Sequence, residues 1–322
     1  MSEKRMIQCI CLSVICGALL LCTTILQGED LSGKVRRDQK IIGTVYMTMN
    51  NPYFEVINQE IETQVTEAGD ILLTRDSNLD NEMQIRQIES LIEEKVDILL
   101  VNAVDWKGVR PALEEAKEAG IPVIALDTEV YDSDLVLATL TSDNYLAGGI
   151  AAHDLMKHCD QAEILLLEHT GNKSADDRIQ GFLDTLDEHE WPYHIVDRLD
   201  CSGQLEIAQP LVEEILEKTR KIDVVMALND PGALGAMAAL DAQGMLSDVI
   251  VYGIDGAPEA KAMIYEGKMT GTVAQSPTRT GQTAADMIYD YFDGKQIDRV
   301  RTLPVTLINQ QNIGEFSLSN WE

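Results

Sequence analysis

From Lys40 onward, short apolar runs alternate with segments in which apolar residues recur every three or four positions. The runs predict strands at Ile41–Tyr46, Ile71–Thr74, Asp97–Val101, Val123–Leu126, Ala162–Leu167, His194–Leu199, Ile222–Leu228, Val249–Ile254 and Gly271–Ala274. Unbroken stretches such as Ile164-Leu165-Leu166-Leu167 suit strands buried on both faces, as in parallel sheets. Phe54, Ile57, Ile61, Val65 and Ala68 form one helical stripe, and Gly69 stops it. Ile85, Ile88, Leu91 and Ile92 form a second, and segments 177–186 and 205–216 continue the pattern. Alternation of strand and helix predicts an α/β protein whose parallel sheets are covered by helices on both faces. So many strands divide more readily between two sheets than one. Gly120-Ile121-Pro122-Val123 leads into a strand ending at Asp127, and Asp248-Val249-Ile250-Val251 into one ending at Asp255. That echo is too weak to be a sequence repeat.

Five of these strands run into Asn102, Asp127, Asn229, Asp255 and Gln275. Open parallel sheets bind ligands beyond the carboxyl ends of their strands. An ionised Asp accepts from two hydroxyls, and an amide both donates and accepts. Such a set, with no nucleophile among them, suits a small polyhydroxylated molecule.

The chain has 322 residues, enough for two domains, and its composition (45% hydrophobic, 25% charged) is that of a globular protein. Lys+Arg 25 against Asp+Glu 54 gives a formal charge of −29, which disfavours nucleic acid. The first residues differ. Lys4 and Arg5 precede a run from Met6 to Leu26 whose only strongly polar side chain is Gln8, and about 20 such residues cross a bilayer core. Residues 1–27 are therefore expected to be a signal peptide or signal anchor, and residues 28–39 a linker. With no small-x-small cleavage site near its end, an anchor is preferred, tethering an extracytoplasmic domain to the cytoplasmic membrane through residues 6–26. Loop charge leaves the orientation ambiguous, because Lys34, Arg36, Arg37 and Lys40 outnumber the two N-terminal cations. Cys9, Cys11, Cys16 and Cys22 lie inside the apolar run. Cys159 and Cys201 remain, and unpaired thiols are preferred over a disulfide between them.

Ordered fragments carry a resemblance: Asn50-Asn51-Pro52-Tyr53-Phe54, Asn102-Ala103-Val104-Asp105, Gly120-Ile121-Pro122-Val123-Ile124, Ser142-Asp143-Asn144, Arg178-Ile179-Gln180-Gly181-Phe182, Asn229-Asp230-Pro231-Gly232, Gly253-Ile254-Asp255-Gly256 and Ala274-Gln275-Ser276-Pro277. In this order they resemble the sugar-binding proteins of bacterial ABC transporters with the type I periplasmic-binding fold, the ribose-binding branch above all, from about Ile41 to about Leu307. The resemblance implies two Rossmann-like lobes, each a parallel sheet flanked by helices, joined by a three-crossing hinge. The first lobe would hold residues 40–142 plus 276–304 and the second 143–275 plus 305–322. Hinges would fall at Ser142, Gln275 and Pro304.

The ligand positions it implies are Asn51, Tyr53, Phe54, Asn102, Asp127, Arg178, Asn229, Asp255 and Gln275. Each has a plainer alternative. Asn51 before Pro52 could be a helix-entry turn, and Asn102, Asp127, Asp255 and Asn229 could cap helices. One of Tyr53 and Phe54 could pack inward, Arg178 could make a surface ion pair, and Gln275 could serve only the hinge. Two departures stand out. Thr128 follows Asp127 where ribose-type relatives carry Arg, and Cys201 stands where they carry an aromatic. Trp106 is a candidate for the missing ring, with a position at the lobe edge the equal alternative.

The implied function is a receptor that closes around a monosaccharide or related polyol and delivers it to an ABC permease. The alternative is an anchored sensor that presents its closed form to a sensor kinase or chemoreceptor. A LacI-type repressor ranks low, since residues 1–39 offer an apolar span where a helix-turn-helix is needed. No enzyme, cofactor or metal is expected. Asp76-Ser77-Asn78-Leu79-Asp80 begins like a calcium loop, but Asn81 and Gln87 stand where Gly and Glu are needed. His153 and His158 are five apart, the wrong offset for one metal. Neither a dinucleotide-binding glycine motif nor a nucleophile elbow appears.

Overall fold

A computed structural model describes residues 39–322; the expected signal segment 1–27, and all of the 28–39 linker except Gln39, lie outside the described residues. Two six-stranded sheets carry the fold. The first contains β1 (Ile41–Tyr46), β2 (Ile71–Asp76), β3 (Ile98–Val101), β4 (Val123–Asp127), β5 (Ala138–Ser142) and β11 (Val300–Leu303), in the order β11-β5-β4-β3-β1-β2. The second contains β6 (Ala162–Glu168), β7 (Tyr193–Asp200), β8 (Val224–Ala227), β9 (Ile250–Asp255), β10 (Gly271–Ala274) and β12 (Thr306–Asn309), in the order β12-β10-β9-β8-β6-β7. All pairings are parallel except that of β12 with β10. The two orders match place for place, so β4 and β9 are counterparts. The faint echo before Asp127 and Asp255 marks a real repeat of architecture.

Helices α1 (Pro52–Glu67), α2 (Asn81–Glu93), α3 (Arg110–Glu118) and α9 (Pro277–Phe292) cover the first sheet, and α4 (Asn144–Leu155), α5 (Lys173–Glu188), α6 (Leu205–Lys218), α7 (Asp230–Ala242) and α8 (Pro258–Tyr265) the second. Each sheet is buried on both faces. Ile42, Leu100 and Ile124 meet Ile57, Ile61 and Ile288 on one side of the first sheet, and Val45, Leu99 and Val101 meet Ile88, Leu91 and Leu113 on the other. In the second sheet Ile164, Leu166 and Val224 pack on Phe182 and Leu186, while Leu165, Val225 and Val251 pack on Val212 and Leu240. This double burial is why the strands read as continuous apolar runs.

The chain passes between sheets three times: after β5, between β10 and α9, and between β11 and β12. Three strands were not expected from the sequence. β5, Ala-Thr-Leu-Thr-Ser, carries hydroxyls at three of its five positions, and β11 is mostly exposed at the sheet edge. β12 is a short antiparallel edge strand. None shows the apolar run that marks a central strand.

Helices α4 and α5 touch through glycine. A Cβ on Gly148 would lie 1.9 Å from the Arg178 carbonyl oxygen, and one on Gly181 2.0 Å from that of Tyr145. This close approach fixes the height of Arg178 above its sheet. Among the described residues no helix is long and apolar enough to cross a membrane.

Candidate functional site

The carboxyl ends of both sheets face one polar cavity. From the first sheet come Met47 and Thr48 after β1, Asn51, Tyr53 and Phe54 at the start of α1, and Asp127 closing β4. From the second come residues after β6 and in the first turns of α5, the loop after β7, Asn229, Asp255 and Gln275. The space between these atoms, mouth and open solvent included, is about 430 Å³.

Asp127 and Asp255, the counterparts at the ends of β4 and β9, both depart from ordinary backbone conformation. Their φ angles are 67° and 134°, costly for residues with a Cβ and found where surroundings over-determine them. For Asp127 the restraint is visible. Its carbonyl oxygen accepts from Thr141 Oγ1 at 2.9 Å and from Ser174 Oγ at 3.0 Å, one donor from each lobe. Its Oδ2 accepts from Asn102 Nδ2 at 3.2 Å, while Oδ1 is buried without a partner. Burial pushes the Asp127 carboxyl up, and Arg178 draws it part of the way back.

On the opposite wall Arg178 is buried. Its Nε donates to Asn144 Oδ1 at 2.8 Å and Nη1 to the Leu228 carbonyl at 2.9 Å, with Asp255 Oδ1 at 3.7 Å. Gln275 Nε2 donates to Asp255 Oδ1 at 2.7 Å, leaving Gln275 Oε1 buried and unpartnered. Burial drives Asp255 well above the usual carboxylate range; Arg178 opposes this and Asp230 adds to it. Asp230, behind the wall, is pushed up to about 6, again by burial first. The Tyr53 hydroxyl lies near Asp127 outside hydrogen-bond geometry and has no partner. Three orphaned buried polar atoms thus meet in one cavity. Natural interiors leave few such groups, and each needs an explanation.

Of the residues picked from sequence, Asn51, Tyr53, Phe54, Asp127, Arg178, Asn229, Asp255 and Gln275 line the cavity. Asn51 and Asn229 also cap α1 and α7, accepting from Tyr53 N and Gly232 N, so the plainer alternative coexists with a cavity position. Arg178 is no surface ion pair. Asn102 and Trp106 do not line the cavity. Asn102 sits one layer behind, taking the Met47 amide at 3.1 Å and holding Asp127. Trp106 stands at the lobe edge, packing edge-on against Tyr131, and its amide donates to the Gly171 carbonyl of the other lobe at 3.0 Å.

At the two departures, Cys201 is buried behind the wall, and Thr128 Oγ1 accepts from the Ser174 amide at 3.3 Å across the lobes. Sequence reading missed His169, Asn172, Ser174 and the 202–204 loop, all of which line the cavity. His169 follows β6, and the strand-end logic used elsewhere would have found it.

A model of the periplasmic binding protein domain matches residues 42–296. The chain belongs to the periplasmic binding protein family. Its relatives in that family include the ribose import binding protein RbsB of Bacillus subtilis (strain 168), 30% identical over 272 residues, which is 84% of this chain and 87% of that protein. The D-apiose import binding protein of Actinobacillus succinogenes is 26% identical over 294 residues, 88% of this chain and 94% of the relative. A solved ABC transporter solute-binding protein from Bacillus halodurans C-125 with bound myo-inositol superposes with a TM-score of 0.81. It is 26% identical, covering 88% of this chain and 98% of that one. The family places the domain outside the cytoplasm, and the paired parallel sheets are those of its solved members.

Proposed function

We propose that the chain is an extracytoplasmic receptor that clamps a monosaccharide or related polyol in this cavity, without altering it, and delivers it to an ABC permease. The observation that carries the reading is the convergence of Tyr53 Oη, Asp127 Oδ1 and Gln275 Oε1, buried and unpartnered, at the strand ends of one cavity. Two acceptors beside a hydroxyl that both donates and accepts suit the hydroxyls of a sugar. Phe54 and Tyr53 offer ring surface for its C–H faces. The import roles of the ribose and apiose relatives support the same reading.

Asn51, Tyr53, Phe54, Asp127, Arg178, Asn229, Asp255 and Gln275 would hold the ligand, with Asn102 acting through Asp127. Closure would bend the chain at Ser142, Gln275 and Pro304, where it passes between sheets, and ligand contacts made only in the closed form would shift the population towards it. Residues 6–26 would tether the receptor to the membrane. The sensor alternative gains nothing comparable: a fructose-binding domain of a hybrid two-component system shares the fold at 23% identity, which speaks to fold alone.

Calorimetry of the full chain against pentoses, hexoses and cyclitols tests the reading. Saturable binding at micromolar concentration, roughly 8 kcal/mol, is expected for at least one. Absence of heat with every one of them would sink it.

A further inference from the structure

The second-lobe wall of the cavity is polar, but most of its polarity is already committed. Asn172 caps α5 through Ala175 N and points Nδ2 at Met47 Sδ. Ser174 is engaged by Asn144 and by Asp127. Asn229 accepts from Gly232 N and donates to the Gly203 carbonyl. Gln204 accepts from Asn50 and donates to Ser202 O. His169 differs. It lines the same cavity, is buried, and among the described residues neither of its ring nitrogens makes a hydrogen bond. Its own backbone is held, since its carbonyl accepts from Asn172 N at 3.3 Å.

We propose that His169 is a ligand contact that decides which sugars this receptor accepts, its neutral imidazole donating to one hydroxyl and accepting from another. The assignment rests on the sugar-binding reading above and adds to it the residue that discriminates among sugars. A neutral imidazole carries one N–H and one bare nitrogen, the pair that two neighbouring hydroxyls require. Burial keeps the ring uncharged; the Asp200 carboxylate works against this without prevailing. Of the unpartnered atoms in the cavity, Asp127 Oδ1 and Gln275 Oε1 can only accept, so an added N–H in this wall changes the pattern of hydroxyls it can read. A site built to hydrogen-bond a hydroxyl rejects the analogue that lacks it far better than an apolar wall does. No aromatic ring stands at Cys201, and His169 supplies a planar surface on the same side of the cavity.

The test is calorimetry of the full chain and of His169→Leu and His169→Asn against D-ribose, D-apiose, D-allose, D-glucose and myo-inositol. In His169→Leu the tightest of these is expected to weaken about tenfold or more, the effect of one lost buried hydrogen bond, and the order of preference among the five to change. His169→Asn, which keeps a donor and an acceptor, should lose less. Affinities within about twofold and an unchanged order in His169→Leu would overturn the assignment. If that variant does not fold, an unchanged order and affinity in His169→Ala, which also removes both the donor and the acceptor, overturns it equally. Failure of the sugar reading itself is distinguishable: the unmutated chain would then bind none of the five, and the assignment would fall with it.

Discussion

The hydroxyl of Ser174, in the first turn of α5, donates to the main-chain carbonyl of Asp127, at the end of β4 in the other lobe, at 3.0 Å. The Ser174 amide meets Thr128 Oγ1 at 3.3 Å in the same place. These bonds exist only while the lobes touch, so their removal should act on closure and not on the folding of either lobe. Ser174→Ala is expected to weaken sugar binding about five- to tenfold and to leave the melting temperature of the ligand-free protein nearly unchanged. A fall in ligand-free stability as large as the loss in affinity would show that Ser174 is merely structural.

Asp127 offers the opposite contrast between affinity and stability. Its Oδ1 is buried with no partner, and burial raises the carboxyl above its ordinary range. Such a group costs stability in the empty protein and returns it when a hydroxyl arrives. Asp127→Ala should abolish detectable sugar binding without lowering the unfolding temperature of the free chain. Asn102→Leu should do otherwise. It strands the Met47 amide as well as Asp127, and is expected to cost about 1–3 kcal/mol of stability in addition to affinity. Denaturant titration beside calorimetry separates the two.

The contrast also shows what was legible in the chain. β4 and β9 are central strands buried on both faces, so their apolar runs and the polar residues that end them stood out. Asp127, Asp255 and Gln275 followed directly. β5 and β11 did not, because a Thr-rich strand and an exposed edge strand lack that run. Asn102 has the same strand-end signature as Asp127 yet turns behind the wall, and Trp106 turns to the lobe edge. Side-chain direction just past a strand depends on which neighbour offers a hydrogen bond or a ring, and that is a property of tertiary contact. Ser174 acquires its place only from the packing of α5 through Gly148 and Gly181.

Acidity should tune stability through Asp230. Burial raises its pKa from an ordinary 3.8 to about 6, and Asp255 beside it is raised as well. Between these values the folded protein binds more protons than the unfolded chain, so stability falls as pH rises. The penalty is absent below about pH 4, where both states are protonated, and complete above about 6. Thr272 and the Ala257 amide donate to Asp230 and Arg178 faces it, which limits the rise without reversing it. Urea midpoints of the unmutated chain should therefore decline more steeply from pH 4 to 6.5 than those of Asp230→Asn. Parallel curves would refute the assignment.

At the lobe edge, the Trp106 ring lies under Lys107 Nζ at 4.9 Å and under Lys173 Nζ, from the second lobe, at 5.8 Å. The second contact joins the two lobes, so closure should govern it. Trp106 is half-buried. Cations over a ring that keeps some contact with water contribute about 0.5–1 kcal/mol, so Trp106→Ala should weaken binding about two- to fivefold. The larger effect is spectroscopic. Ligand should alter tryptophan emission in the unmutated chain, and Trp106→Phe should remove most of that change while Trp191 and Trp321 remain. An undiminished signal in Trp106→Phe would place the reporting ring elsewhere.

Lys261 is fully buried on α8, and the last residues of the chain hold its charge: Nζ donates to Glu322 Oε1 at 2.6 Å and to the Asn320 carbonyl at 2.5 Å. The same segment places Trp321 edge-on against Tyr53, ring centroids 5.7 Å apart, and its Glu322 carbonyl accepts from Ser276 where the chain passes between sheets. Removing residues 320–322 would leave a buried ammonium without its partners, a loss of about 3 kcal/mol or more when one side of a buried pair is taken away. The indole contact goes too, so the shortened chain alone cannot apportion the loss. Lys261→Met in the shortened chain separates the terms, because it removes the stranded charge and nothing else that differs. The doubly altered protein is expected to unfold at higher denaturant than the shortened one, since an apolar side chain of similar length fills the site without needing a partner. Equal midpoints would mean that Lys261 finds water or another acceptor once the tail is gone, and that Trp321 carries the contribution of this segment.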